Sequence, residues 1–265
     1  MFTTQQPLPQ QTAISTGDPL AGSCEGRFVL TSLDSNFLQS LLPPQLVLAP
    51  QEYTPAGFHP LLLMYNYTHL HSTDHLVQVA KQNNLELKLD YNEFILMLPF
   101  VQFKDTRVVS DTMYCYLPVL YLDSMLAVMG GRIFWEFNKE MARFSVTEAD
   151  FLISSEILDE AYFNSSFLSA GGSVRARTIQ NFDAIIPILN LPVVEFGPEG
   201  YVTSFYKMDY ENANLTPSTA SVFNSSCKYL PGKASIFAES IEEKVLGAFN
   251  MNYDWELSWA KKVLY

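Results

Sequence analysis

Apolar runs rich in Val, Ile, Leu, Tyr and Phe, nearly free of charge and cut by Gly, Pro, Asn and Asp, restrict the fold of this chain more than any other feature. FHPLLLMYNYTHL (58–70), YNEFILMLPFVQF (91–103), TMYCYLPVLYL (112–122), GSVRARTIQ (172–180), GYVTSFYKM (200–208) and VLGAFNMNYDWEL (245–257) all read as strands between turn signals. So many strands with so few helices predict a mainly β (α+β) fold. The expected form is a closed or nearly closed antiparallel β-barrel or cone carrying a few short helices, because closure removes exposed sheet edges.

Helical periodicity is local. SLDSNFLQSLLPPQL (32–46) predicts a short helix capped by Asp34, with Phe37, Leu38, Leu41 and Leu42 on its buried side and Pro43–Pro44 as its stop. DHLVQVAKQ (74–82) repeats the pattern, as does DSMLAVMGG (123–131) with Asp123 as cap and Gly130–Gly131 as stop. The C-terminal LSWAKKVLY (257–265) also has helical spacing.

At 265 residues the chain is long enough for one large core. Residues 1–24, rich in Gln, Pro and Thr, read as a loosely ordered arm, and 25–265 as a single domain without internal repeats. Sixteen Lys and Arg stand against 28 Asp and Glu, a net charge of −12. That balance argues against nucleic acid and anionic membranes as partners, since no basic excess exists to displace counterions. The N-terminus lacks the basic start and apolar core of a signal peptide, so a cytoplasmic location is expected. Cys24, Cys115 and Cys227 are too scattered for a disulfide framework and read as buried thiols.

One lysine stands out. In GGRIFWEFNKEMARF (130–144), alternation along an extended IFWEF places Lys139 on the side of Trp135 and Phe137, with Glu140 opposite. An amine on an apolar face is a candidate Schiff-base nucleophile. Lowering its pKa from about 10.4 by roughly 3 to 4 units costs on the order of 4 to 5 kcal/mol, which burial can supply. The competing reading is a lysine that reaches solvent or pairs with Glu136 or Glu140 at the surface.

The segment YLPVLYLDSMLAVMGGRIFWEFNKEM (116–141) resembles the signature of the acetoacetate decarboxylase family, with Tyr121, Leu122, Asp123, Ala127, Gly131 and Arg132 matching and Lys139 at the Schiff-base position. YNEFILMLPF is similar to the family strand that carries an active-site glutamate, here Glu93, and FLQSLLPPQLVL (37–48) is similar to its early helix and proline turn. The resemblance implies Lys139 and Glu93 as catalytic residues and Arg27 and Arg132 as substrate-binding residues. The residues themselves leave open an ordinary strand acid or an Arg132 partner for Glu93, and for Arg132 a structural role on the last carbonyls of its helix. Where the family has proline and a second lysine beside the nucleophile, this chain has Asn138 and Glu140; LLLMYNYTHL holds no acid where a second glutamate is expected. Desolvation alone then has to depress the amine. A carboxylate about 4 Å away at an effective dielectric near 20 would favour the ammonium by about 4 kcal/mol, so Glu140 has to face elsewhere.

The implied activity is lysine-imine decarboxylation of a β-keto acid, acetoacetate or a relative, without metal or organic cofactor, in a homo-oligomer. An enamine also serves aldol, condensation and dehydration chemistry on keto acids, and a non-catalytic small-molecule-binding barrel is a further alternative. A rival site begins with the four histidines, His59, His69, His71 and His75, which fall within one stretch beside Asp74. On a strand His69 and His71 share a face and suit zinc or iron with His75 from the next turn; the plainer reading is a polar loop.

Overall fold

A computed structural model describes residues 20–71, 74–105, 112–157, 160–197 and 200–263, with the side chain of His75 outside the description. The strands are β1 (Leu20–Asp34), β2 (Leu46–Leu48), β3 (Phe58–Leu70), β4 (Asp90–Phe103), β5 (Tyr114–Leu122), β6 (Lys139–Val146), β7 (Asp150–Ser155), β8 (Ala161–Ser169), β9 (Val174–Arg175), β10 (Val193–Gly197), β11 (Gly200–Ser204), β12 (Tyr206–Met208), β13 (Asn214–Asn224), β14 (Ser235–Ala238), β15 (Ala248–Leu257) and β16 (Lys261–Lys262). Four short helices join them: α1 (Ser35–Leu41), α2 (Asp74–Gln82), α3 (Met125–Phe134) and α4 (Phe182–Leu189). None of these helices is long and apolar enough to cross a membrane.

Hydrogen bonding runs β5-β6-β7-β8-β13-β15-β1-β3-β4 and returns from β4 to β5, closing a ring of nine strands. The expected mainly β, cone-like architecture is therefore present, though not as an even barrel. Two joins are parallel: β10 pairs with Cys115–Tyr116 at the start of β5 and β6 with Leu120–Leu122 at its end. The sheet thus splits along that edge, and α3 makes the crossover that a parallel β5–β6 pair requires.

Both faces of the central strands are buried, which explains their unbroken apolar runs. On β3 and β4, Tyr65 and Phe94 point into the ring, where Tyr65 meets Phe151 at 5.2 Å and Phe167 at 5.3 Å, and Phe94 meets Phe163 at 4.6 Å. Their neighbours Met64 and Ile95 point the other way, into a second core with Phe28 and Phe249 that α3 and α4 cover through Val128 and Phe182. Pro99 breaks the ladder near a register shift in β4, and Phe100 after it takes a left-handed φ of 54°.

Several local expectations hold. Asp34 caps α1 by accepting from the Phe37 N–H at 2.9 Å, and α2 covers the expected residues. Others are corrected. β1 begins at Leu20, inside the stretch read as an arm, because Leu20–Cys24 pair with both β15 and β3 or its flank; residues 1–19 lie outside the described residues. Ser124, not Asp123, caps α3, while Asp123 accepts from the backbone and side chain of Asn92. The helix does not stop at Gly130–Gly131 but runs to Phe134, so IFWEF is not extended. Of LSWAKKVLY, residues 257–263 are not helical, with Lys261–Lys262 forming β16 against β11, and residues 264–265 lie outside the described residues. In GSVRARTIQ only Val174–Arg175 is strand, followed by a 3-10 turn.

Phe94 sits at the centre of the ring packing and is fully buried. Phe94→Ala is expected to destabilise the protein by about 3–5 kcal/mol, read as a lower urea midpoint at unchanged slope.

Candidate active site

Lys139 is the first residue of β6, and the turn before it is built to aim it. Trp135 and Phe137 both donate their backbone N–H to Gly131 O, at 3.1 and 3.2 Å, and Glu136 between them adopts a left-handed φ of 57°. Asn138 donates its side-chain amide to Pro118 O at 2.7 Å, and Leu120 N–H donates to Asn138 O at 3.0 Å, fastening the turn to β5. Arg132 reaches back from the last turn of α3 and donates Nε–H to Lys139 O at 2.8 Å.

The aliphatic stem of Lys139 lies on Gly131. A Cβ there would fall 2.4 Å from Cδ and 2.5 Å from Cε of the lysine, closer than carbon atoms approach. The glycine that the sequence suggested as a helix stop is instead the seat of the lysine.

The Nζ of Lys139 lies 3.6 Å from Oε1 of Glu93, with the two residues only 9% and 7% exposed. Glu93 projects from β4, two strands away, on the face it shares with Ile95 and Met97. Burial pushes the Lys139 amine below its ordinary range, with Glu93 opposing; burial pushes Glu93 above the usual carboxylate range, with Lys139 and Asn66 opposing. Both desolvation effects favour the uncharged amine beside the protonated acid. Glu140 alternates to the other face, where it acts on Tyr121, Cys227 and Lys228 and leaves Lys139 alone. Glu136 pairs with Lys262 instead. Lys139 is therefore neither a surface lysine nor an ion-pair partner of its sequence neighbours.

A cavity of about 50 Å³ adjoins the pair, walled by Met64, Ile95, Leu120 and Phe137 and by the phenols of Tyr91 and Tyr206. A single water occupies about 10–15 Å³ on that scale, so the cavity suits a molecule of a few heavy atoms. Asn66 stands across the β3–β4 ladder from Glu93, fully buried, and its amide atoms make no good hydrogen bond among the described residues.

The two arginines are corrected. Arg27 lies on the opposite face of the sheet, in the mouth of the ring: its Nη2 donates to Thr147 O at 2.8 Å, and the guanidinium rests over Phe167 and Phe151 at 5.4 and 5.7 Å. A one-residue step along β1 separates the two faces, and Gly26 and Phe28 take the cavity side. Arg132 is exposed and holds the backbone of Lys139; it does not line the cavity.

The three histidines with described side chains do not converge, and the side chain of His75 lies outside the described residues. His59 is buried near the far end of β3, where Nε2–H donates to Pro99 O at 2.8 Å. His69 pairs with Asp90 at 2.6 Å, its ring edge towards His71, and both lie at the exposed end. Among the described residues no group of three His, Cys, Asp or Glu is placed to hold a metal ion. Sequence reasoning missed Asn66, Tyr91 and Tyr206; the period-two pattern of β3 and β4 puts Asn66 and Tyr91 on the Met64 and Glu93 face, whereas nothing local marks Tyr206.

Amine-directed labelling followed by peptide mapping tests this electrostatic balance. Glu93→Gln removes the carboxyl group whose ionised form would hold the Lys139 pKa up, so labelling is expected to persist to lower pH than in the wild type, while Glu140→Gln leaves the profile unchanged. Gly131→Ala, by driving the lysine stem off its seat, is expected to return the profile towards an ordinary exposed lysine.

The acetoacetate decarboxylase (ADC) family model matches residues 5–180, a span that includes both Glu93 and Lys139. A search of curated proteins finds no match. Among solved structures, the acetoacetate decarboxylase of Legionella pneumophila subsp. pneumophila str. Philadelphia 1 is similar with a TM-score of 0.58, at 13% identity over 97% of this chain and 92% of that one. An acetoacetate decarboxylase-like enzyme from Sphingomonas wittichii RW1 gives a TM-score of 0.57 at 12% identity, covering 98% of this chain and 100% of that one. The enduracididine biosynthesis enzyme MppR, complexed with the condensation product of pyruvate and imidazole 4-carboxaldehyde, gives 0.55 at 11% identity, covering 92% and 88%. These structures share the fold, and the family match spans about two thirds of the sequence: the chain belongs to the acetoacetate decarboxylase family.

Proposed function

We propose that this protein is a lysine-imine decarboxylase of a small β-keto acid. Lys139, held neutral by burial, attacks the ketone carbon. Glu93, held protonated, gives its proton to the departing hydroxyl of the carbinolamine, so water leaves and a protonated imine forms. The bond to the carboxylate then breaks, its electron pair moves towards the iminium nitrogen, carbon dioxide departs and a neutral enamine remains. Protonation at carbon and hydrolysis release the ketone and restore the amine.

The observation that carries this reading is the composition of the cavity: apolar walls, two phenols, one acid and, among the described residues that line it, no cation other than Lys139. A substrate carboxylate finds no guanidinium to clamp it there. Decarboxylation turns that poorly solvated charge and the iminium into two neutral fragments, a change that an apolar cavity favours. A reaction that keeps the carboxylate to the end would profit from a permanent counter-ion.

A second reading, condensation of a keto acid with an aldehyde through the same enamine, is supported by the condensation product in the MppR complex. Borohydride reduction in the presence of β-keto and α-keto acids, with mapping of the 133–143 peptide, tests both. The expected outcome is a covalent adduct on Lys139 that is lost in Lys139→Ala, with carbon dioxide released from a β-keto acid. An adduct without carbon dioxide, and a new carbon–carbon bond when an aldehyde is added, would transfer the assignment to condensation. A blank across the panel would sink imine chemistry altogether.

A further inference from the structure

Decarboxylation through an enamine consumes one proton at carbon, in a cavity whose Lys139 and Glu93 are nearly closed to water. Glu93 faces the nitrogen of Lys139 and is already engaged in expelling the hydroxyl. A second proton source is therefore needed. One wall of the cavity is Tyr206, on β12, a short strand that pairs with the end of β15. Its hydroxyl lies 3.3 Å from the hydroxyl of Tyr253 on β15.

Tyr253 borders a different space. With Cys24, its partner across the β1–β15 ladder, it lines an open polar pocket of about 370 Å³ that also contains Ser23, Asp209, Asn212 and Asp254. The Cys24 thiol lies 3.2 Å from the Thr68 hydroxyl. Two phenols in contact, one lining each space, thus lie between the Lys139 cavity and the open outer pocket. Burial keeps every member protonated: both phenols stand well above their ordinary range, and the Cys24 thiol is pushed up to about 12. A neutral chain of hydroxyls carries a proton by coupled transfer, both protons moving in one step, so that no buried phenolate has to be stabilised along the way. Two core tyrosines that merely satisfy each other would have no reason to end in different cavities.

We propose that Tyr206 and Tyr253 form the proton conduit from the outer pocket to the enamine carbon, an assignment that rests on the imine reading above. The Tyr206 O–H bond breaks as its proton joins the carbon, and the enamine electrons form the new C–H bond while the nitrogen lone pair remakes C=N. Tyr206 oxygen takes the proton of Tyr253, and water in the outer pocket replaces it. The net change is one proton moved from water to carbon, with hydroxide left to the bulk.

Tyr253→Phe keeps the ring, removes the hydroxyl and does not touch the Lys139 cavity. With a small ketone in D2O, borohydride trapping at Lys139 is expected at the wild-type rate, while deuterium entry at the carbon next to the carbonyl falls at least tenfold. Tyr206→Phe is expected to show the same defect, and the double variant no more than either single one. In the wild type, the rate plotted against deuterium fraction is expected to curve, as two protons in flight require. This measurement decides the question if the variants fail to fold. Wild-type exchange in Tyr253→Phe, additive defects or a straight-line plot would overturn the conduit while leaving the imine standing. Absence of trapping in the wild type would remove both, and is a distinct result.

Discussion

The β4–β5 ladder is the constraint on which the remaining structure depends. It closes the nine-strand ring, and because side chains alternate, its residues serve two cores at once. Phe94, Leu96 and Leu98 fill the ring, while Glu93, Ile95 and Met97 form the wall of the Lys139 cavity outside it. The lumen is packed with aromatic side chains. The candidate chemistry therefore sits on the outer face of the ring, in the layer covered by helices.

The Lys139–Glu93 pair is set by a contest between desolvation and attraction. Water is withdrawn from both groups, which favours the neutral forms, and their proximity favours the charged ones. Removing Glu140 from the contest decides its direction. With that carboxylate on the other face, a single acid opposes the desolvation of the amine, and in the proposed mechanism that same acid is the proton donor.

Much of this arrangement was legible in the sequence and some was not, for identifiable reasons. The strand-rich pattern, α1 with its Asp34 cap and α2 follow from local spacing, which local forces enforce. The position of Lys139 on an apolar face and of Glu140 on the other was read correctly from a wrong premise: Ile133 and Phe134 are helical, and it is the left-handed Glu136 that resets the chain. Gly130–Gly131 looked like a helix stop because glycine has two uses; the reason for Gly131 lies in a lysine eight residues on. The α4 segment FDAIIPIL was hidden by Pro187, which breaks the pattern although it is tolerated near the helix end. Arg27 lies away from the cavity because a one-residue step along a strand exchanges its faces, and it is Gly26 and Phe28 that face the cavity side. Tyr206 and Tyr253 are far apart in sequence, and only β12–β15 pairing brings them together.

The turn that aims Lys139 also receives late parts of the chain. The Trp135 indole donates to Ser258 O at 2.8 Å and stacks on Trp259 at 4.9 Å, and Glu136 pairs with Lys262 of β16. During synthesis from the N-terminus, Lys139 is made more than a hundred residues before the groups that brace its turn. The apolar setting of this amine therefore belongs to the folded chain as a whole and not to the segment 130–144.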